Sequence, residues 1–181
     1  MKAFRCAPMI SFDHSARSGD FLRAMTFDRI FSMAEGYLEL GMFDDALEHL
    51  DQLNGEYQDR FVVLQLRVGI LLRKKDWNQA LQFSLRICAI HPEEGYGYVH
   101  AAFCLHELGR TAEAKQTLLG GPACLLDDAV YYYNLACYDA VLGNLEQAKV
   151  YLHASFRMDK DKTFRELAKN DPDLSQIRDE F

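Results

Sequence analysis

No stretch of this 181-residue chain approaches the ~20 consecutive apolar residues of a membrane-spanning helix. The N-terminal MKAFRCAPMISFDHSARSGD lacks the continuous apolar core of a secretory signal. Basic charge is scarce: 20 Lys and Arg face 27 Asp and Glu, a net charge of −7. Residues 30–181 alone sum to −9. A surface that acidic repels phosphate backbones and argues against nucleic-acid binding. The five cysteines, Cys6, Cys88, Cys104, Cys124 and Cys137, are odd in number and form no CxxC pair. That pattern fits reduced, buried thiols in a cytoplasmic protein better than a disulfide framework or a zinc site. P-loop, dinucleotide glycine, GxSxG and HExxH motifs are missing, and Gly95-Tyr-Gly97 falls short of GxGxxG. No cofactor, no metal and no enzymatic activity are expected.

What the chain does have is a repeat. GMFDDAL, KKDWNQAL, GRTAEAK and GNLEQAK each place an alanine within a helical pattern: Ala46, Ala80, Ala114 and Ala148, spaced by 34 residues each time. Equal intervals of this size mark stacked supersecondary units. Twelve residues before each alanine stand Ala34, Val68, Ala102 and Ala136, small enough for two helices to approach closely. Leu50, Ser84, Leu118 and Leu152 follow each alanine by four, on the same helical face. The turn position holds Gly41, Lys75, Gly109 and Gly143. Glycine suits a helix C-terminus because it takes positive φ readily, so Lys75 is expected to cost stability there. Pro92 falls twelve residues after Ala80, where such a unit ends.

Over residues 27–160 this pattern resembles the tetratricopeptide repeat family. The resemblance implies an all-α, right-handed α-α superhelix of about four helix pairs with C-terminal capping helices. Residues 1–19 are expected to be loosely ordered, residues 20–160 to form the pairs, and residues 161–181 the caps. Asn134-Leu135-Ala136-Cys137 and Asp171-Pro172-Asp173-Leu174 with Arg178 are similar to the extension that follows the last repeat in many bacterial members. Two departures stand out. Arg67 occupies a place usually apolar, so its helix is expected to be rotated or locally wet. GGPACLLDDA, residues 120–129, interrupts the third unit, whose second helix is expected to stop near Leu119, with Asp127 or Asp128 capping the next.

The register assigns the crowded YYYNLACY to packing. Tyr132 falls between the two helices of its own unit, while Tyr133 and Cys137 face the concave surface and Tyr138 covers a neighbouring second helix. A reactive thiol needs a cationic neighbour, and none is near in sequence. His100 and Cys104 share a helical face, but His106 lies about 200° from Cys104, so the three cannot converge on a metal from one helix.

In the family the functional surface is the groove lined by the first helix of each pair. Projected onto this chain, that groove contains Phe31, Glu35, Gln65, Arg73, Tyr96, Val99, His100, Phe103, His106, Tyr133 and Cys137. The resemblance therefore implies a protein–protein interaction module, a scaffold, adaptor or chaperone-like protein holding a partner's peptide segment on aromatic anchors. The alternative is a structural homo-oligomer, possible as a homodimer, whose groove is filled by its own or a neighbour's terminus. A third reading is a protein like the translocator chaperones of type III secretion, which the stretch HAAFCLHELGRTAEAKQTL resembles. The carboxylate clamp of one known subtype is missing: its positions hold Phe31, Glu35, Leu66, Tyr96 and His100.

Overall fold

A computed structural model describes residues 18–180, with side chains from Thr26 onward. The expectation of loose order for residues 1–19 falls almost wholly outside that range. The described residues form an all-α array without strands. Its helices are α1 (Ser18–Glu39), α2 (Phe43–Asp51), a single turn α3 (Gly55–Gln58), α4 (Phe61–Lys74), α5 (Trp77–Ile90), α6 (Gly95–Glu107) and α7 (Thr111–Leu119). They continue with α8 (Ala129–Val141), α9 (Leu145–Met158) and α10 (Thr163–Ala168), followed by a 3-10 segment, Pro172–Glu180. α1 packs on α2, α4 on α5, α6 on α7 and α8 on α9, and each second helix packs on the first helix of the next pair. The array is thus a solenoid of four helix pairs.

The repeat register explains the packing. Ala46, Ala80, Ala114 and Ala148 are all fully buried, as are Ala34, Val68, Ala102 and Ala136. These are the crossing points of each pair, where a larger side chain would push the helices apart. Gly97 performs a related task one pair along. A Cβ there would come within 2.9 Å of the Cys88 backbone nitrogen, so its absence lets α6 start against the end of α5.

Each first helix ends in the same double hydrogen bond. Gly41, Lys75, Gly109 and Gly143 donate to the carbonyls of Leu38, Leu72, His106 and Ala140, and the following residues donate back to Tyr37, Leu71, Leu105 and Asp139. This closure requires a left-handed residue. The three glycines take φ of 73°, 76° and 82°, and Lys75 takes 62°. An L side chain in that region costs about 1–2 kcal/mol, and glycine returns part of this as extra freedom in the unfolded chain. Lys75→Gly is therefore expected to stabilise the protein by about 0.5–1 kcal/mol in urea denaturation.

Arg67 corrects one expectation: α4 is not rotated. Leu64, Val68 and Leu71 stay fully buried, and Arg67 itself is 5% exposed. Its guanidinium pairs with Asp51 at 2.7 Å, donates to Gln58 Oε1 at 2.7 Å and lies over the Phe83 ring. Gln58 sits on α3 and in turn donates to the carbonyls of Leu50 and Leu53. A buried charge needs such partners. The interruption at residues 120–129 runs as expected. α7 stops at Leu119, Ala123–Asp127 makes a 3-10 turn, and Asp128 caps α8 through a 2.8 Å bond from the Val130 amide.

Candidate functional site: the concave face

The concave face is built by the first helices, α1, α4, α6 and α8, and its two halves differ. Along α1, α4 and α6 the candidate residues Phe31, Gln65, Tyr96 and Phe103 are half-buried, while Glu35 and Arg73 are exposed. Partial loss of hydration by the neighbouring chain pushes the Glu35 carboxyl upward although the residue as a whole is exposed. On α6, Val99 and His100 are 8% and 2% exposed, and burial holds the His100 imidazole down to about 4. The aromatic rings interlock from helix to helix. Tyr96 meets Phe61 of α4 at 6.2 Å and His100 at 4.1 Å, both edge-on, and its hydroxyl donates to the Gln65 carbonyl at 3.3 Å. Phe103 stands edge-on to Trp77, the first residue of α5, at 5.7 Å. Edge-to-face contacts of this kind fix ring orientation.

Over α8 the face holds the chain's own C-terminal segment. The 3-10 segment packs directly on α8. Tyr133 is 1% exposed, donates its hydroxyl to Asp171 Oδ2 at 2.7 Å, and packs at a tilt against the Phe164 ring of α10 at 5.0 Å. The Cys137 thiol donates to the same oxygen at 3.8 Å. His106 Nε2 donates to Asp173 Oδ2 at 3.0 Å, with its Nδ1 3.0 Å from Thr111 Oγ. Leu174 and Ile177 are fully buried beneath. Asp171 also caps the segment it begins, accepting from the Asp173 amide, and Arg178 donates to the Asp171 carbonyl. The three groove positions His106, Tyr133 and Cys137 are thus engaged by residues 171–173. Sequence reading placed them on the concave face but missed their partners. The available signal was the Asp-Pro-Asp-Leu run itself, two carboxylates flanking a proline near the C-terminus.

The remaining members of the tyrosine cluster divide as follows. Tyr132 packs against Tyr151 within its own pair and donates to the Leu126 carbonyl, as its register implied. Tyr131 stands edge-on to Tyr132. Tyr138 is 1% exposed and lies against His106 on the preceding first helix, at 5.0 Å, a contact the register did not indicate.

The chemistry available is limited. Burial pushes Cys104 up to about 12 and Cys88 up to about 11, so both are thiols, not thiolates, near neutral pH. Among the described residues one set of metal-type atoms converges: Cys137, Asp171 and Asp173 lie within 4.8 Å of one another. Their atoms already serve as donors and acceptors to one another, to Tyr133 and to His106, which makes the cluster a latch for the C-terminal segment. A small cleft of about 180 Å³ lies elsewhere, between α1 and α3, lined by Phe27, Ile30, Leu53 and Tyr57 among others. Among the described residues no helix is long and apolar enough to cross a membrane.

Four stacked helix pairs with a concave face of first helices define a tetratricopeptide-type solenoid. No protein-family model matches the chain, and no curated protein is similar to it in sequence. Solved structures of MamA are similar in fold. One, MamA MSR-1, has a TM-score of 0.63 at 15% identity over 74% of this chain and 77% of that one. A MamA RS-1 double mutant has a TM-score of 0.66 at 12% identity over 75% and 76% of the two chains. A further MamA mutant has a TM-score of 0.60 at 14% identity, covering 78% of this chain and 100% of that one. At these identities the likeness concerns the fold.

Proposed function

We propose that this protein is an interaction module that holds a segment of a partner protein along the concave face of α1, α4 and α6. The observation that carries the reading is the row of partly buried aromatic side chains, Phe31, Tyr96 and Phe103, on that face. Aromatic residues with restricted rotamers lose little entropy on binding, and a few such anchors supply most of the energy of a small interface. The fourth pair contributes less, because its part of the face is occupied by residues 171–177. Glu35 and Arg73, exposed at the margins, set the charge preference and the salt dependence.

The test is Phe103→Ala. Truncating an anchor costs at least ~2 kcal/mol, so partner affinity is expected to fall roughly 30-fold or more while helicity stays unchanged. Affinity and melting temperature are measured on the same variant. A lowered melting point with normal affinity at low temperature assigns Phe103 to internal packing against Trp77 and sinks the proposal.

A further inference from the structure

The sequence offers an occupant for this face. Residues 1–17, MKAFRCAPMISFDHSAR, carry Lys2, Arg5 and Arg17 against Asp13, a net charge of +2, while the rest of the chain carries −9. Phe4, Met9, Ile10 and Phe12 give the segment side chains of the anchoring kind. It enters the fold at Ser18, the first residue of α1 and so of the first groove helix. Reach is sufficient. Seventeen extended residues span up to about 55–60 Å. Folding back along the 22 residues of α1 uses about 33 Å, and α6 lies two helix spacings away, about 20 Å. The margin of the receiving face carries exposed Glu35 and Glu39 on α1, beside the segment's point of entry, and exposed Arg73 on α4, and its floor at α6 is closed to solvent, with Val99 and His100 8% and 2% exposed. The fourth pair already shows the chain using its own terminus in this way, through residues 171–177 on α8.

We propose that residues 1–17 are a built-in ligand of the concave face formed by α1, α4 and α6, which a partner must displace. This rests on the reading of that face as a peptide groove. A tethered segment acts at an effective concentration in the millimolar range, so even a segment of modest intrinsic affinity keeps the face mostly occupied. Partner binding is then a competition, and its apparent affinity is lowered by the fraction of molecules in which the face is closed.

The test uses the full chain, a synthetic peptide of residues 1–17, and two full-length variants: Phe4→Ser/Ile10→Ser/Phe12→Ser, and Lys2→Glu/Arg5→Glu. Trp77 is the single tryptophan and stands beside Phe103, so its fluorescence reports occupancy, with calorimetry giving stoichiometry. The apolar variant is expected to bind the added peptide one to one, at least tenfold more tightly than the unmodified chain, whose own segment competes. The charge variant is expected to show a smaller gain, lost at high salt. Adding Phe103→Ala to the apolar variant is expected to reduce peptide binding at least tenfold. Equal peptide affinity for the unmodified chain and both variants, or no binding at millimolar peptide, overturns the inference. A stable dimer of the unmodified chain that dissociates in the apolar variant overturns it too, by placing the segment in a second copy. If the peptide fails to bind while Phe103→Ala still weakens a foreign partner, the built-in ligand is excluded and the groove reading stands.

Discussion

Tyr133→Ala is expected to lower the stability of the protein by about 3–5 kcal/mol, the range for truncating a buried aromatic side chain. Three losses combine. The ring leaves a space between α8 and Phe164, now 5.0 Å from it. Asp171 Oδ2 loses the 2.7 Å bond from the tyrosine hydroxyl, yet Asp171 stays only 7% exposed. A buried carboxylate short of a donor carries its full desolvation cost. The C-terminal segment, whose Leu174 and Ile177 are fully buried, then loses its polar anchor on α8. Tyr133→Phe isolates the hydroxyl and is expected to cost about 1.5–3 kcal/mol, the value for a hydrogen bond to a charged group. Urea denaturation checks both, and a double-mutant cycle with Asp171→Ala assigns the coupling to this pair. Hydrogen exchange over residues 164–177 is expected to speed up in either variant. A Tyr133→Ala protein that melts normally would return that tyrosine to the list of exposed groove anchors.

The second large effect is on acid stability. His100 is 2% exposed, and burial holds its imidazole at about 4, against an ordinary 6.5. Above pH 6.5 the residue is neutral in both folded and unfolded chains and the pH has no leverage through it. As the pH falls towards 4, the unfolded chain takes up a proton that the folded chain does not. The unfolded state is therefore favoured, and the loss accumulates to about 3 kcal/mol at pH 4, given ~1.4 kcal/mol per unit. His100→Gln, measured by urea denaturation at pH 7 and pH 4.5, is expected to lose less stability than the unmodified protein over that interval, and the carboxylates common to both cancel in the difference. Direct titration by NMR gives the same answer independently. A His100 resonance that titrates near 6.5 would show that α6 is open to water at this position.

The two effects concern residues whose positions were legible in the sequence but whose surroundings were not. Tyr133 and His100 both fall on the concave face by register alone. The pattern could not say that one is clasped by a carboxylate 38 residues further on, or that the other is nearly sealed from solvent. Arg67 shows the same limit from the opposite side. A charge at an apolar position read as a defect in α4, and its partners Asp51, Gln58 and Phe83 come from three other segments.

By itself the sequence determined the four helix pairs, the crossing points at Ala46, Ala80, Ala114 and Ala148, and the left-handed turns at Gly41, Lys75, Gly109 and Gly143. These are short-range demands: a crossing point needs a small residue and a tight helix end needs positive φ, whatever lies beyond. Only the tertiary structure decided that the first helices are treated differently, with half-buried aromatic side chains along α1, α4 and α6 and with α8 covered by the C-terminal 3-10 segment. An inward-facing side chain has the same spacing in sequence whether it meets a foreign peptide or its own chain. The choice rests on burying Leu174 and Ile177 and satisfying Asp171 with Tyr133 and Cys137, contacts across 34 to 38 residues that no local period records.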